Sequence, residues 1–229
     1  MAHRKTLLIT GASTGIGAAT ARAAVAAGWD VALAARSRDK LDALVDEIGA
    51  EHALAITCDV TAFEDLEAAV AATQERFGGL DAVFANAGFG AKRGFREETP
   101  EQWRDMVLTN VLGAALTIRA TIDAITAAKG HVLITGSVAG RRPLPGSLYS
   151  STKFAVGAMA ESLRQELNGT GARVTLVEPG MVDTPFFDQK PELEALHPED
   201  VANAVVWALG QPPRVDVNDI LIRPTAQEG

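Results

Sequence analysis

Short apolar runs separated by longer alanine-rich or amphipathic stretches recur along the whole chain. The runs that read as strands are Thr6–Thr10, Val31–Ala35, Ala53–Thr57, Ala82–Ala85, His131–Thr135, Arg173–Val177 and Asp219–Arg223. Several are apolar at successive positions, the pattern of a parallel strand covered on both faces. The stretches between them carry helix-start signals. Thr61-Ala62-Phe63-Glu64 and Thr99-Pro100-Glu101-Gln102 have the capping-box form, the second with proline at the first helical position. His197-Pro198-Glu199-Asp200 opens the last long helix with acids near its positive dipole end. This alternation predicts an α/β fold, a doubly wound seven-stranded parallel sheet with helices on both faces. No linker, repeat or low-complexity tract divides residues 1–229, which are expected to form a single domain. Residues 183–197 lack clear periodicity and are the candidate for a substrate loop over a site.

Composition narrows the function. The chain has 229 residues, of which 47% are hydrophobic and 22% charged, enough for a sizeable core. A net charge of −8 argues against a nucleic-acid partner, which would need a basic stripe. The one cysteine, Cys58, has no internal disulfide partner. The apolar start Leu7-Leu8-Ile9 stops too early for a secretory core, and the uncharged run from Met106 to Ile118 is too short to span a bilayer. The expectation is a cytoplasmic protein without a membrane partner.

Three local patterns carry chemistry. Thr10-Gly11-Ala12-Ser13-Thr14-Gly15-Ile16-Gly17 follows the first strand and opens the first helix, where a tight backbone and helix N-terminal amides suit a pyrophosphate. At the end of the second strand, where NAD sites usually carry an acid, stand Ala35, Arg36 and Ser37. A guanidinium beside a hydroxyl suits a 2′-phosphate, so NADP(H) is favoured over NAD(H). The only tyrosine, Tyr149, lies four residues before Lys153, and positions i and i+4 share a helix face. A nearby cation is expected to lower the phenol pKa toward a useful range. No metal is expected: none of the four histidines has a ligand-like partner at helical spacing, His131 reads as a strand start and His197 as a helix cap.

Together these segments resemble the short-chain dehydrogenase/reductase family, from about Lys5 to at least Thr184, and the resemblance implies a Rossmann-type fold. Beyond the glycine turn, Asp59-Val60 resembles the family's adenine-contacting pair, and Ala85-Asn86-Ala87-Gly88 its Asn-Asn-Ala-Gly motif with the first residue altered. Asn110 corresponds to the helix asparagine, Ser137 to the active-site serine, and Pro179-Gly180, Val182 and Thr184 to the stretch at the nicotinamide end. The resemblance implies catalytic roles for Asn110, Ser137, Tyr149 and Lys153. Tyr149 would exchange the proton, Lys153 would also hold the nicotinamide ribose, Ser137 would hold the carbonyl oxygen, and Asn110 would position a water leading to Lys153. The cofactor would lie on Gly11, Ser13, Thr14, Gly15, Ile16, Gly17, Arg36, Ser37, Asp59, Val60, Asn86, Ala87, Gly88, Tyr149, Lys153, Pro179, Gly180, Val182 and Thr184.

The chain departs from the pattern in two places. Ser137 and Tyr149 are one position closer than in many relatives, which points to a deletion in Arg141–Leu148. The tail Asp216–Gln227 is more like the subgroup acting on 3-hydroxy acids, serine and small alcohols. The expected reaction is hydride transfer between nicotinamide and a carbonyl or secondary alcohol, on a small keto or 3-hydroxy acid. Reduction of a 3-oxoacyl thioester and non-catalytic NADP sensing are the alternatives. The substrate pocket is expected from Gly88–Phe95, Arg141–Leu148 and Asp183–Leu196. Phe89, Phe186 and Phe187 are walls or ordinary packing; Arg93, Arg141 and Arg142 are carboxylate anchors or, more simply, solvated surface residues. The family resemblance implies a homodimer or homotetramer packed through the helices near Asn110 and Tyr149–Leu167. The small-residue face of Ala155, Val156, Ala158, Met159 and Leu163 suits such packing and core burial equally.

Overall fold

A computed structural model of the chain describes residues 4–90, 92, 94–185 and 194–227. Seven parallel strands form one sheet in the order β3-β2-β1-β4-β5-β6-β7. They are β1 (Thr6–Thr10), β2 (Asp30–Ala35), β3 (Ala53–Thr57), β4 (Ala82–Ala85), β5 (His131–Thr135), β6 (Arg173–Pro179) and β7 (Asp219–Ile222). The order reverses between β1 and β4, which opens a crevice at their carboxyl ends.

The continuous apolar strands serve two cores. Side chains alternate across a strand, so Leu7, Ile9, Val31, Leu33, Phe84 and Leu133 face one layer, while Leu8, Ala32, Ala34, Val83, Val132 and Ile134 face the other. The first layer is closed by α1 (Gly15–Ala26), α2 (Arg38–Ile48) and α7 (Pro198–Leu209), through Ala21, Leu41 and Val205. The second is closed by α3 (Phe63–Phe77), α5 (Ala114–Ala128) and α6 (Leu148–Glu166), through Leu66, Ile118 and Val156. Every residue of β1 is buried, which is why alternation is invisible in its sequence.

The predicted helix starts fared unequally. Thr99 caps α4 (Pro100–Val107): its hydroxyl accepts from Gln102 N at 3.3 Å, and the Gln102 side chain accepts from Thr99 N at 2.8 Å. At α7 the Asp200 carboxylate accepts the N–H of the cap residue His197 at 2.8 Å. Thr61 does not cap α3, contrary to expectation. The helix begins at Phe63 behind Ala62, and the Thr61 hydroxyl instead donates to Asp59 Oδ1 at 2.8 Å. Asp59 closes its own turn, also accepting Thr61 N–H at 2.9 Å.

The run around Met106–Ile118 is longer in space than in sequence. Leu108–Gly113 forms a π-helical segment that joins α4 to α5, so Pro100–Ala128 is one helical unit of 29 residues. By length and composition it could cross a membrane. Ala114, Ile118 and Ile125 are nevertheless buried in the core layer against the sheet.

Candidate active site

A cleft of about 640 Å³ runs along the carboxyl ends of the strands. Its middle is the glycine turn between β1 and α1. Gly11 and Gly15 have φ of +66° and +54°, where side chains are rarely accommodated. A Cβ at Gly11 would stand 2.8 Å from Ala87 Cα. Thr14 makes no side-chain cap to α1, and the first turn has no acid, so its amides and dipole end remain available to an anion. Ser13, Thr14, Gly15 and Ile16 line the cleft; Gly17 lies behind them, where a Cβ would collide with the Gly11 carbonyl oxygen. This cradle, narrow and rich in backbone donors, fits a dinucleotide pyrophosphate.

The side of the cleft toward β2 and β3 is formed at the ends of those strands. Arg36 and Ser37 are exposed on the cleft wall, with Asp59 and Val60 across from them. Hydrogen bonds from Thr61, backbone first, hold the Asp59 carboxyl below its usual pKa, and the Arg36 charge adds to this. Cys58, buried and free, also lines the wall; burial pushes its thiol up to about 12, so it is a neutral surface.

Asn86 lies at the switch point. Its Nδ2 donates to Thr10 O at 3.1 Å and its Oδ1 accepts from the Thr135 hydroxyl at 3.1 Å. It therefore ties the ends of β1, β4 and β5 together beneath the cleft, with Ala87 and Gly88 on the wall beyond.

At the far end Ser137, Tyr149 and Lys153 converge. Ser137 follows β5 and caps a short 3₁₀ turn, Val138–Gly140, its Oγ accepting from Ala139 N at 3.1 Å. A side-chain hydrogen bond joins it to Tyr149. Both Tyr149 and Lys153 are on α6, which starts at the Ser147 cap. The Lys153 ammonium stands 5.6 Å from the centre of the Tyr149 ring and donates to Thr135 O at 2.7 Å. Pro179, Gly180 and Val182 also line the cleft, and Thr184 stands against the glycine turn, where a Cβ on Gly15 would lie 3.2 Å from its Cγ2.

The electrostatics correct one expectation. Burial pushes the Tyr149 phenol up to about 12; the Ser137 hydrogen bond opposes this but does not overcome it. The ring is half-buried on the cleft wall, and desolvation is the larger of the two causes. Burial also lowers Lys153 to about 8, which weakens the cation expected to stabilise phenolate.

Asn110 lies on the helical segment that joins α4 to α5. It is buried on the π-helical segment, off the cleft wall, and both ends of its amide are engaged by one residue. Oδ1 accepts from Phe89 N at 3.0 Å, and Nδ2 donates to Phe89 O at 2.9 Å and to the Thr152 hydroxyl at 3.3 Å. The side chain braces the loop after Gly88.

Phe89 and Leu144 line the cleft as expected of a substrate pocket, but Arg141 and Arg142 do not. Arg141 is held by Glu178 and Asp219, at 2.8 and 3.3 Å, and so is not a free carboxylate anchor. Phe186, Phe187 and Arg93 lie outside the described residues. Ser147 lines the cleft within the expected stretch Arg141–Leu148, whereas Thr109, Met181 and Gln227 line it without having been expected. Thr109 and Met181 sit beside recognised motif positions. Gln227 carried no local signal; its Oε1 accepts Met181 N–H at 2.9 Å from the tail, 46 positions away.

Residues 5–195 match the family model described as short chain dehydrogenase. An uncharacterized oxidoreductase of Staphylococcus haemolyticus is 38% identical over 95% of this chain and 96% of its own. Glycine betaine reductase ATRR of Emericella nidulans is also 38% identical over 96% of this chain, which spans only 19% of that longer protein. Among solved structures, an alcohol dehydrogenase from Thermococcus sibiricus complexed with 5-hydroxy-NADP superposes with a TM-score of 0.92, at 34% identity over 99% of each chain. A closed form of serine dehydrogenase complexed with NADP+ gives 0.93, at 30% identity over 98% of this chain and 96% of its own. With a family match over most of its length, this chain belongs to the short-chain dehydrogenases and is an oxidoreductase that uses a nicotinamide cofactor.

Proposed function

We propose that the chain is an NADP(H)-dependent enzyme that interconverts a carbonyl compound and a secondary alcohol, with small keto or 3-hydroxy acids as its substrate class. The observation that carries this reading is the convergence of Ser137, Tyr149 and Lys153 at one end of a glycine-cradled cleft. When bound, a nicotinamide supplies or accepts the hydride at its C4.

The residues of the chain manage charge and protons. In reduction, negative charge grows on the substrate oxygen. Tyr149, protonated across the neutral range by its pKa of about 12, donates its proton to that oxygen. Ser137 holds the same oxygen and stabilises the developing charge. Lys153, fixed to the Thr135 carbonyl beside the phenol, retains most of its charge at neutral pH and holds the ribose hydroxyls. Asn110 positions rather than reacts: its amide fixes Phe89, a wall of the substrate end, and the residue would place a water leading to Lys153.

Arg36 and Ser37 on the adenine wall, with Ala35 where an acid would repel a 2′-phosphate, support NADP(H) over NAD(H). The small-acid class is supported by likeness to a serine dehydrogenase. Exposed Leu112, Phe154 and Trp207 support a homo-oligomer, and a cytoplasmic location fits a buried free cysteine. NADPH-oxidation assays over β-keto acids, β-ketoacyl thioesters and aldehydes test the proposal. Turnover of small keto acids is the expected result. Activity confined to thioesters would replace the substrate class, and NADPH binding without turnover of any would replace the enzymatic reading with a sensor.

A further inference from the structure

Outside the groups given a chemical role, one charged cluster stands against the site. Glu178 is 2% exposed near the end of β6, and among the described residues its carboxylate is hydrogen-bonded by Arg141 alone. The contact is a fork: Arg141 Nε lies 2.8 Å from both carboxylate oxygens and Nη2 lies 2.5 Å from Oε2. Asp219 at the start of β7 takes the remaining reach of the guanidinium at 3.3 Å. Planar bidentate geometry fixes orientation as well as distance. Arg141 is the residue immediately after the 3₁₀ turn that Ser137 caps, and its own N–H closes on Val138 O at 3.0 Å. Gly136, just before Ser137, leaves the space Glu178 needs, since a Cβ there would stand 2.8 Å from Glu178 Cγ. The turn that carries Ser137 thus has the Glu178 stem packed beside Gly136 on one side and the Glu178 carboxylate bonded to Arg141 on the other.

We infer that the Arg141–Glu178 pair is a positioning device that sets the Ser137 hydroxyl against Tyr149 and the substrate oxygen. The inference rests on the catalytic reading of Ser137 proposed above. Neither charged residue lines the cleft, so their effect reaches the reaction only through the turn. Removing Arg141 outright would strand a buried carboxylate, so the informative changes are Glu178→Gln and Arg141→Lys, which break the fork but keep the volume.

Kinetics, a double-mutant cycle with Ser137→Ala, and amide hydrogen exchange test it. Glu178→Gln should lower kcat by about 10- to 100-fold, as a displaced catalytic group would, with KM and the NADPH dissociation constant held near wild type. Ser137→Ala should lower kcat by about 100- to 1,000-fold, and adding Glu178→Gln to it should cost little more. Without any ligand, deuterium uptake in Glu178→Gln should rise at Gly136–Arg141 and stay unchanged in the strands. Arg141→Lys should repeat the pattern more mildly, and carries the test if Glu178→Gln yields no folded protein. Additive losses in the double variant, unchanged exchange at the turn, or an equal loss of NADPH affinity would each overturn the inference. Near-normal turnover in Ser137→Ala alone would instead overturn the catalytic reading beneath it.

Discussion

At the residue scale, the site is governed by which form of each group burial favours. Tyr149 and Lys153 are both pushed toward neutrality, to about 12 and about 8. A neutral phenol is the donor that reduction requires and the wrong form for accepting a proton in oxidation. Alcohol oxidation should therefore climb with pH through the range above 8, while carbonyl reduction stays level there and falls only in stronger alkali. Rate profiles in both directions check this; parallel profiles would separate Tyr149 from the proton step. Tyr149→Phe keeps the ring packing but removes the proton, so turnover should fall by several orders of magnitude with the thermal midpoint little changed. Arg36 is exposed, so its charge can be reversed without harm to the fold. Arg36→Asp should shift the kcat/KM preference from NADPH toward NADH, read by parallel assays with the two cofactors; an unchanged ratio would mean that another group meets the phosphate.

At the element scale, local signals were legible and distant ones were not. β1, β3, β4 and β5 have the bounds their apolar runs predict, because each strand's burial is written in its own residues. β6 continues two residues further, through Glu178 and Pro179. A carboxylate followed by proline reads as a loop; the arginine that makes its burial tolerable stands 37 positions earlier. The glycine turn was legible for the same local reason as the strands, and Gln227 escaped for the same distant reason as Glu178. The two capping-box sequences sharpen the point, since Thr99 makes the bonds its pattern promises while Thr61 gives its hydroxyl to Asp59. Thr99→Ala should cost about 1 kcal/mol, visible as a lower urea midpoint at unchanged slope. No measurable loss would mean that packing of Trp103 on Phe95, an edge-on ring pair, holds α4 without its cap.

At the scale of the whole molecule, the two core layers share a sheet that carries one buried titrating ring. His131 starts β5, is 1% exposed, and bonds the Thr175 hydroxyl through Nε2 at 2.7 Å; Nδ1 has no partner among the described residues. Burial lowers its pKa from 6.5 to about 3, and the charges of Arg173 and Lys5 push the same way. The neighbouring guanidinium cannot move aside: Arg173 donates to the carbonyls of Ala208, Leu209 and Val215, which ties β6 to the end of α7. The folded state therefore keeps His131 neutral where the unfolded chain protonates it. Below 6.5 the unfolded state binds the extra proton, so the contribution is present above that pH and is lost progressively as pH falls toward about 3. Carboxylates held low, such as Asp59, lose stability over part of the same range, so wild type alone cannot isolate the ring. The difference from His131→Gln can, because glutamine keeps a hydrogen bond toward Thr175 without a titrating proton. The variant should be the less stable at neutral pH through imperfect packing, with the gap in thermal midpoint narrowing steadily as the buffer is acidified. A gap independent of pH would show that the ring titrates in the native protein as it does in the unfolded chain.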